Sequence, residues 1–129
     1  DTSKIGPLSA LVADTFGVPV PPGKAVLGEY MYTHASDSHI AHRLKTGAWY
    51  TFENIRADAL GSEEVILFGP AALGRTRDRG AIPVKIETMG LTCTDEELDR
   101  IFDRVVKIVE ERRAATELEV EVIIREELQ

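Results

Sequence analysis

Thr94-Asp-Glu-Glu-Leu-Asp-Arg-Ile-Phe-Asp-Arg-Val-Val-Lys-Ile-Val-Glu-Glu-Arg-Arg113 is the stretch on which the fold assignment turns. Thr94 and Glu97 have capping-box spacing, so each side chain can satisfy the other residue's orphan backbone N–H. Leu98, Ile101, Phe102, Val105, Ile108 and Val109 then recur at amphipathic spacing and predict a helix to about Arg113. Arg112 and Arg113 suit its negative end.

On the C-terminal side, Leu118 to Ile124 alternates apolar and acidic residues as a strand would. Thr116-Glu-Leu-Glu119 is a second capping box, however, and Leu118, Val120, Val122, Ile123 and Ile124 can share one broad face, so a helix is predicted there. Upstream, Ala81 to Met89 reads as a helix with Pro83 in its first turn and Gly90 just past its end. Val65 to Phe68 has strand character, and Asn54 to Leu60 reads as one helical turn closed by Gly61. Tyr50 and Phe52 straddle an extended piece, and Lys24 to Tyr32 suggests a short strand or extended arm broken at Gly28. Ser36, Asp37 and Ser38 favour a cap, with a short helix through Leu44 on which His39 and His42 share a face and from which His34 is excluded.

At the N-terminus, Asp1-Thr-Ser3 can cap a helix with apolar positions Ile5, Leu8, Leu11, Val12 and Phe16 and Gly17 as its stop. Val18-Pro-Val-Pro-Pro-Gly23 must be an extended linker, because three prolines in six residues exclude helix and inner strand. The fold class expected is therefore α+β and mostly helical. It is organised as an N-terminal helix (1–17), a linker and small irregular histidine-bearing lobe with short strands (18–70), and a three-helix C-terminal lobe (71–129). The chain lacks an initiator Met, which suggests a processed N-terminus or a piece of a longer chain.

Composition narrows the function. The 129 residues carry a net charge of −7 from 22 acids and 15 bases, which repels phosphate backbones and argues against a nucleic-acid partner. No apolar run approaches a membrane span, and the single Cys93 fits a reducing, cytoplasmic setting in which it is a packed, inert thiol. The amphipathic faces offer more apolar surface than the chain can cover, so an oligomer or a docked partner is expected.

The chemistry concentrates between Gly28 and Gly61, where all three histidines, His34, His39 and His42, fall close to Ser36 and Tyr50. Imidazole is the side chain whose ordinary pKa sits near neutrality. His39 with Tyr50 can donate or accept a proton at an oxygen-rich substrate, whereas histidines with satisfied hydrogen bonds in a core or on a surface are the structural alternative. A closed metal site lacks the Cys or carboxylate cluster needed to complete it in this segment, and no metal ligand is assigned.

Several pieces together resemble the C-terminal accessory region of the homocitrate synthase and 2-isopropylmalate synthase family, Claisen-type acyltransferases. Asp1-Thr-Ser-Lys-Ile5, Leu8-Ser-Ala-Leu-Val12 and Val18-Pro-Val-Pro-Pro-Gly-Lys24 are similar to the last barrel-flanking helix and linker of those enzymes. Val26-Leu-Gly28 and Tyr32-Thr-His34 resemble the family's Val-Val-Gly and Phe-Thr-His steps. His34-Ala-Ser-Asp-Ser-His39 falls on His-Glu-Ser-Gly-Ile-His, Tyr50 on a tyrosine before a Pro-Glu-Asp-Val-Gly turn, and Asp58-Ala-Leu-Gly61 on that turn. Leu73-Gly-Arg-Thr-Arg-Asp-Arg79 resembles Leu-Gly-Lys-His-Ser-Gly-Arg, and Gly90-Leu-Thr-Cys-Thr-Asp-Glu-Glu-Leu98 resembles Gly-Leu-x-x-Thr-Asp-Glu-Glu-Leu. Ala35 and Asp37 replace Glu and Gly of the first histidine motif, and Arg75, Thr76, Arg77 and Asp78 replace the core of the later one.

The resemblance implies an accessory domain or small subunit that condenses acetyl-CoA with a 2-oxo acid, 2-oxoglutarate first, by completing a barrel active site in trans. It implies His39 and Tyr50 as the catalytic pair and His34, Ser36 and Arg79 as substrate-binding or supporting residues. A divalent ion, Mg or Mn, would be on the missing barrel and no cofactor on this chain. The partners implied are the catalytic barrel and a homo- or hetero-oligomer, and the chain alone should not turn over. A non-catalytic interaction or regulatory domain with a decayed motif is the alternative.

Overall fold

The computed structural model describes residues 1–48, 51–71, 73 and 80–128. Among the described residues, five helices and a small three-stranded sheet form a mostly helical α+β arrangement with no barrel. Its contacts divide it into unit 1, Asp1–Thr33 with Trp49–Val65, and unit 2, His34–Ala48 with Ile66–Gln129.

Unit 1 begins with a 3-10 turn at Thr2–Lys4, where Asp1 accepts from the Ser3 N–H, and continues as helix α1, Ile5–Phe16. Gly17 ends α1 in the left-handed region, as the sequence predicts. The N-terminal turn meets a second 3-10 turn, Asp58–Leu60, so closely that a Cβ on Gly61 would lie 2.0 Å from the Ser3 carbonyl oxygen. Gly61 also has a positive φ of 69°, so glycine is required there twice over. Among the described residues of unit 1, Tyr32, Ala57 and Leu60 form a buried apolar cluster.

The extended arm expected over Lys24–Tyr32 is not formed. Backbone bonds from Gly28 N–H to the Lys24 carbonyl and from Tyr30 N–H to the Pro22 carbonyl fold this segment into turns, and Glu29–Tyr32 is a 3-10 helix. Glycine at position 28 permits the fold-back, since a Cβ there would meet the Pro22 carbonyl oxygen at 2.3 Å. The extended piece expected around Tyr50 and Phe52 has no strand among its described residues, with Thr51 and Phe52 in turns.

Unit 2 holds helix α2, Asp37–Thr46; α3, Ala81–Thr88; α4, Asp95–Arg112; and α5, Glu117–Leu128. Strands β1 (Thr33–His34), β2 (Val65–Phe68) and β3 (Ala115–Thr116) lie in the order β1-β2-β3. β2 and β3 are antiparallel, with Leu67 opposite Thr116 and Phe68 opposite Ala115. The Thr94–Glu97 capping box is formed in both directions and starts α4, while Arg113 closes it in the left-handed region. The second box is also formed: Glu119 accepts from the Thr116 N–H at 2.9 Å and Thr116 Oγ1 from the Glu119 N–H at 3.3 Å. Ile40, Phe68, Ile82, Ile101, Val105, Val120 and Ile124 form the heart of the large core. No helix among the described residues is long and apolar enough to cross a membrane.

Candidate functional site

Helix α2 carries the candidate chemistry, and its sequence explains its pose. Ile40 is fully buried and Leu44 packs against the same core, so the opposite face is turned outward. Asp37 lies in the first turn, where a carboxylate complements the positive helix end. Ser36 occupies the N-cap position, but its side chain makes no capping bond.

The sequence-predicted residues divide by environment. His39 is exposed in the first turn of α2, and His42 is half-buried one turn further on. His34, just upstream of α2, is buried at 5% exposure. Ser36 is half-buried. Tyr50 and Arg79 lie outside the described residues. An exposed imidazole can reach a group on another molecule.

Asp37 is tied more tightly than its sequence position suggests. Its Oδ1 accepts from the Ala81 N–H at 2.6 Å, at the first residue of α3, and its own N–H donates to the Ala71 carbonyl at 3.1 Å. Gly80, the N-cap of α3, has no side chain with which to cap, and Asp37 supplies the missing acceptor from another helix.

Sequence reasoning missed two buried charges. In unit 1, Glu53 is 7% exposed, and a carboxylate oxygen of Glu53 lies within 4.8 Å of one of Glu64. Burial, with the charge of Glu53, pushes the neighbouring Tyr32 phenol above its usual pKa. In unit 2, Lys85 on α3 is 6% exposed, with Nζ at 2.5 Å from Glu117 and 2.6 Å from Glu121 on α5. These partners are far apart in sequence, and no local pattern joins Lys85 to Glu117 and Glu121. Cys93 is half-buried, and burial first, then Glu97 and Asp95, push its thiol up, which disfavours the reactive thiolate.

No protein-family model matches the chain. It is 33% identical over 125 residues to 2-isopropylmalate synthase of Pyrococcus furiosus, covering 97% of this chain and 24% of that protein. It is 28% identical over 123 residues to (R)-citramalate synthase of Methanocaldococcus jannaschii, covering 95% of this chain and 24% of the relative. With 2-isopropylmalate synthase of a Synechococcus species it shares 30% identity over 128 residues, or 99% of this chain and 23% of the relative. The resemblance read from the motifs is thus borne out. The chain spans about a quarter of the length of these curated relatives, a share consistent with a C-terminal region.

Proposed function

We propose that this chain is the accessory region of an acetyl-CoA:2-oxo acid acyltransferase, and that it lends the His39 imidazole to an active site housed on a catalytic barrel. The observation that carries the reading is helix α1. None of its residues is buried, and Leu8, Leu11, Val12 and Phe16 are exposed, although Asp14 is its only charged side chain. A helix of that composition needs a covering surface, and the similarity to proteins four times as long supplies its natural source.

In the condensation, a base removes a proton from the acetyl methyl of the thioester. The resulting carbanion attacks the carbonyl carbon of the oxo acid, and the alkoxide formed takes up a proton. Hydrolysis of the thioester then releases CoA. His39 has the right chemistry for moving a proton at the methyl carbon or at the alkoxide, because its ordinary pKa lies near working pH. Tyr50 would assist it, with His34, Ser36 and Arg79 supporting the site. The divalent ion, bound to barrel residues outside this chain, would polarise the oxo acid's carbonyl. In an oligomer the barrel could belong to another subunit.

Disconnecting the new carbon–carbon bond identifies the acids to test: 3-methyl-2-oxobutanoate gives 2-isopropylmalate, pyruvate gives citramalate and 2-oxoglutarate gives homocitrate. The chain should be mixed with the barrel portion of a related synthase, Mg2+, acetyl-CoA and each acid, and CoA release followed. CoA above the barrel-only control is expected, and His39→Ala should abolish it while leaving the complex intact. Unchanged turnover in that variant would remove His39 from the mechanism.

A second reading is favoured by Ala35, which leaves no carboxylate at the motif position beside His34. On that reading the chain is a non-catalytic interaction domain. A complex that forms yet releases no CoA above the control would support it.

A further inference from the structure

We propose that Asp37 is a positioning residue: its carboxylate clasps the N-terminus of α3 and thereby sets the direction in which α2 presents the His39 imidazole. This rests on His39 having the proton-transfer role proposed above. Helix α2 has one fully buried side chain, Ile40, with Leu44 packed less deeply against the same core. The first turn is where a helix lacks intrahelical partners for its backbone N–H groups and frays most readily. Asp37, Ile40 and Leu44 stand at i, i+3 and i+7, so the Asp37 clasp adds an anchor on the buried face at the N-terminal end of the helix.

That end is where His39 lies. The anchor has two arms, the 2.6 Å bond from the Ala81 N–H to Oδ1 and the 3.1 Å bond from the Asp37 N–H to the Ala71 carbonyl. They tie the first turn of α2 to the first turn of α3 and to the segment after β2. Gly80 leaves room for the carboxylate: a Cβ there would lie 2.9 Å from Oδ1 and 3.3 Å from Oδ2. The glycine and the aspartate therefore work as a pair, one clearing the space and the other filling it with the acceptor that α3 lacks.

Two variants test the clasp without relying on the same defect. Asp37→Ala removes the acceptor, and Gly80→Ala displaces it while keeping the charge. Asp37→Asn retains an acceptor oxygen and serves as the conservative rescue. In the complex with the barrel, both disruptive variants should lower kcat by about 10- to 100-fold, the range a misplaced catalytic group incurs. KM for acetyl-CoA and the affinity for the barrel should stay unchanged, and Asp37→Asn should recover most of the rate. In the uncomplexed chain, the Ala81 amide should exchange faster and the His39 imidazole NMR signals should move in both disruptive variants. Unmoved His39 signals, or unchanged kcat once the Ala81 amide has lost protection, would overturn the proposal. Unchanged turnover in His39→Ala would instead overturn the reading on which it rests.

Discussion

Lys85 shows how a charged residue can be buried here without being a site. Burial by itself pulls an ammonium's pKa down, and this is the largest single effect on Lys85. Hydrogen bonds to Glu117 and Glu121, with their charges, together outweigh it and leave the Lys85 pKa above the ordinary lysine value. A raised lysine pKa contributes stability that is fully present below about pH 10, the unfolded value, and is lost as pH rises through the folded one. Lys85→Ala should lower the unfolding free energy by roughly 2–3 kcal/mol, less than the 3–5 of a fully buried broken pair because the two glutamates stay partly solvated. Urea midpoints at neutral pH check this. In the variant, the loss of stability above about pH 10 should also become shallower. A variant as stable as the parent chain would mean that the triad contributes little. Nothing in the sequence around Lys85 announces it, since the amphipathic pattern of Ala81 to Met89 fixes a helix and leaves open what stands opposite each position. Asp37 was legible only as a cap for its own helix, while the bond that matters most crosses to another.

At the scale of elements, local chemistry was most legible where it closes on itself. Both capping boxes are reciprocal bonds within four residues, and both started a helix where the sequence placed one. For α5 the box outweighed an alternating pattern that argued for a strand. Lys24–Tyr32 shows the reverse, because its apolar residues suggested extension while Gly28 let the backbone fold back on Lys24 and Pro22. Helix α1 was legible too, but its apolar positions turned out to be a surface. That distinguishes two kinds of substitution. Leu11→Glu should change the stability of the chain by no more than about 0.5 kcal/mol, since Leu11 is 62% exposed and surface changes fall in that range. It should nonetheless abolish binding to the barrel portion of a related synthase, as read by sedimentation or calorimetry. Undiminished binding would locate the docking face elsewhere.

For the molecule as a whole, the unequal distribution of core is the main physical fact. Among the described residues, unit 2 buries a cluster running from Ile40 through Ile124, with Phe68, Ile82 and Ile101 in it, whereas unit 1 buries Tyr32, Ala57 and Leu60. Burial of apolar surface is the dominant favourable contribution to folding, so opening unit 1 should cost far less than opening unit 2. Hydrogen exchange on the chain alone should therefore show the amides of α1 exchanging orders of magnitude faster than those at the centres of α4 and α5. Adding the barrel portion of a related synthase should slow exchange in α1 markedly and leave the centre of α4 unchanged, because only the first gains a cover. Leu11→Glu should cancel that protection, which separates coverage of the helix from a general tightening of the chain. If α1 is already as protected as α4 before any partner is added, unit 1 is stable on its own and its exposed leucines need no cover.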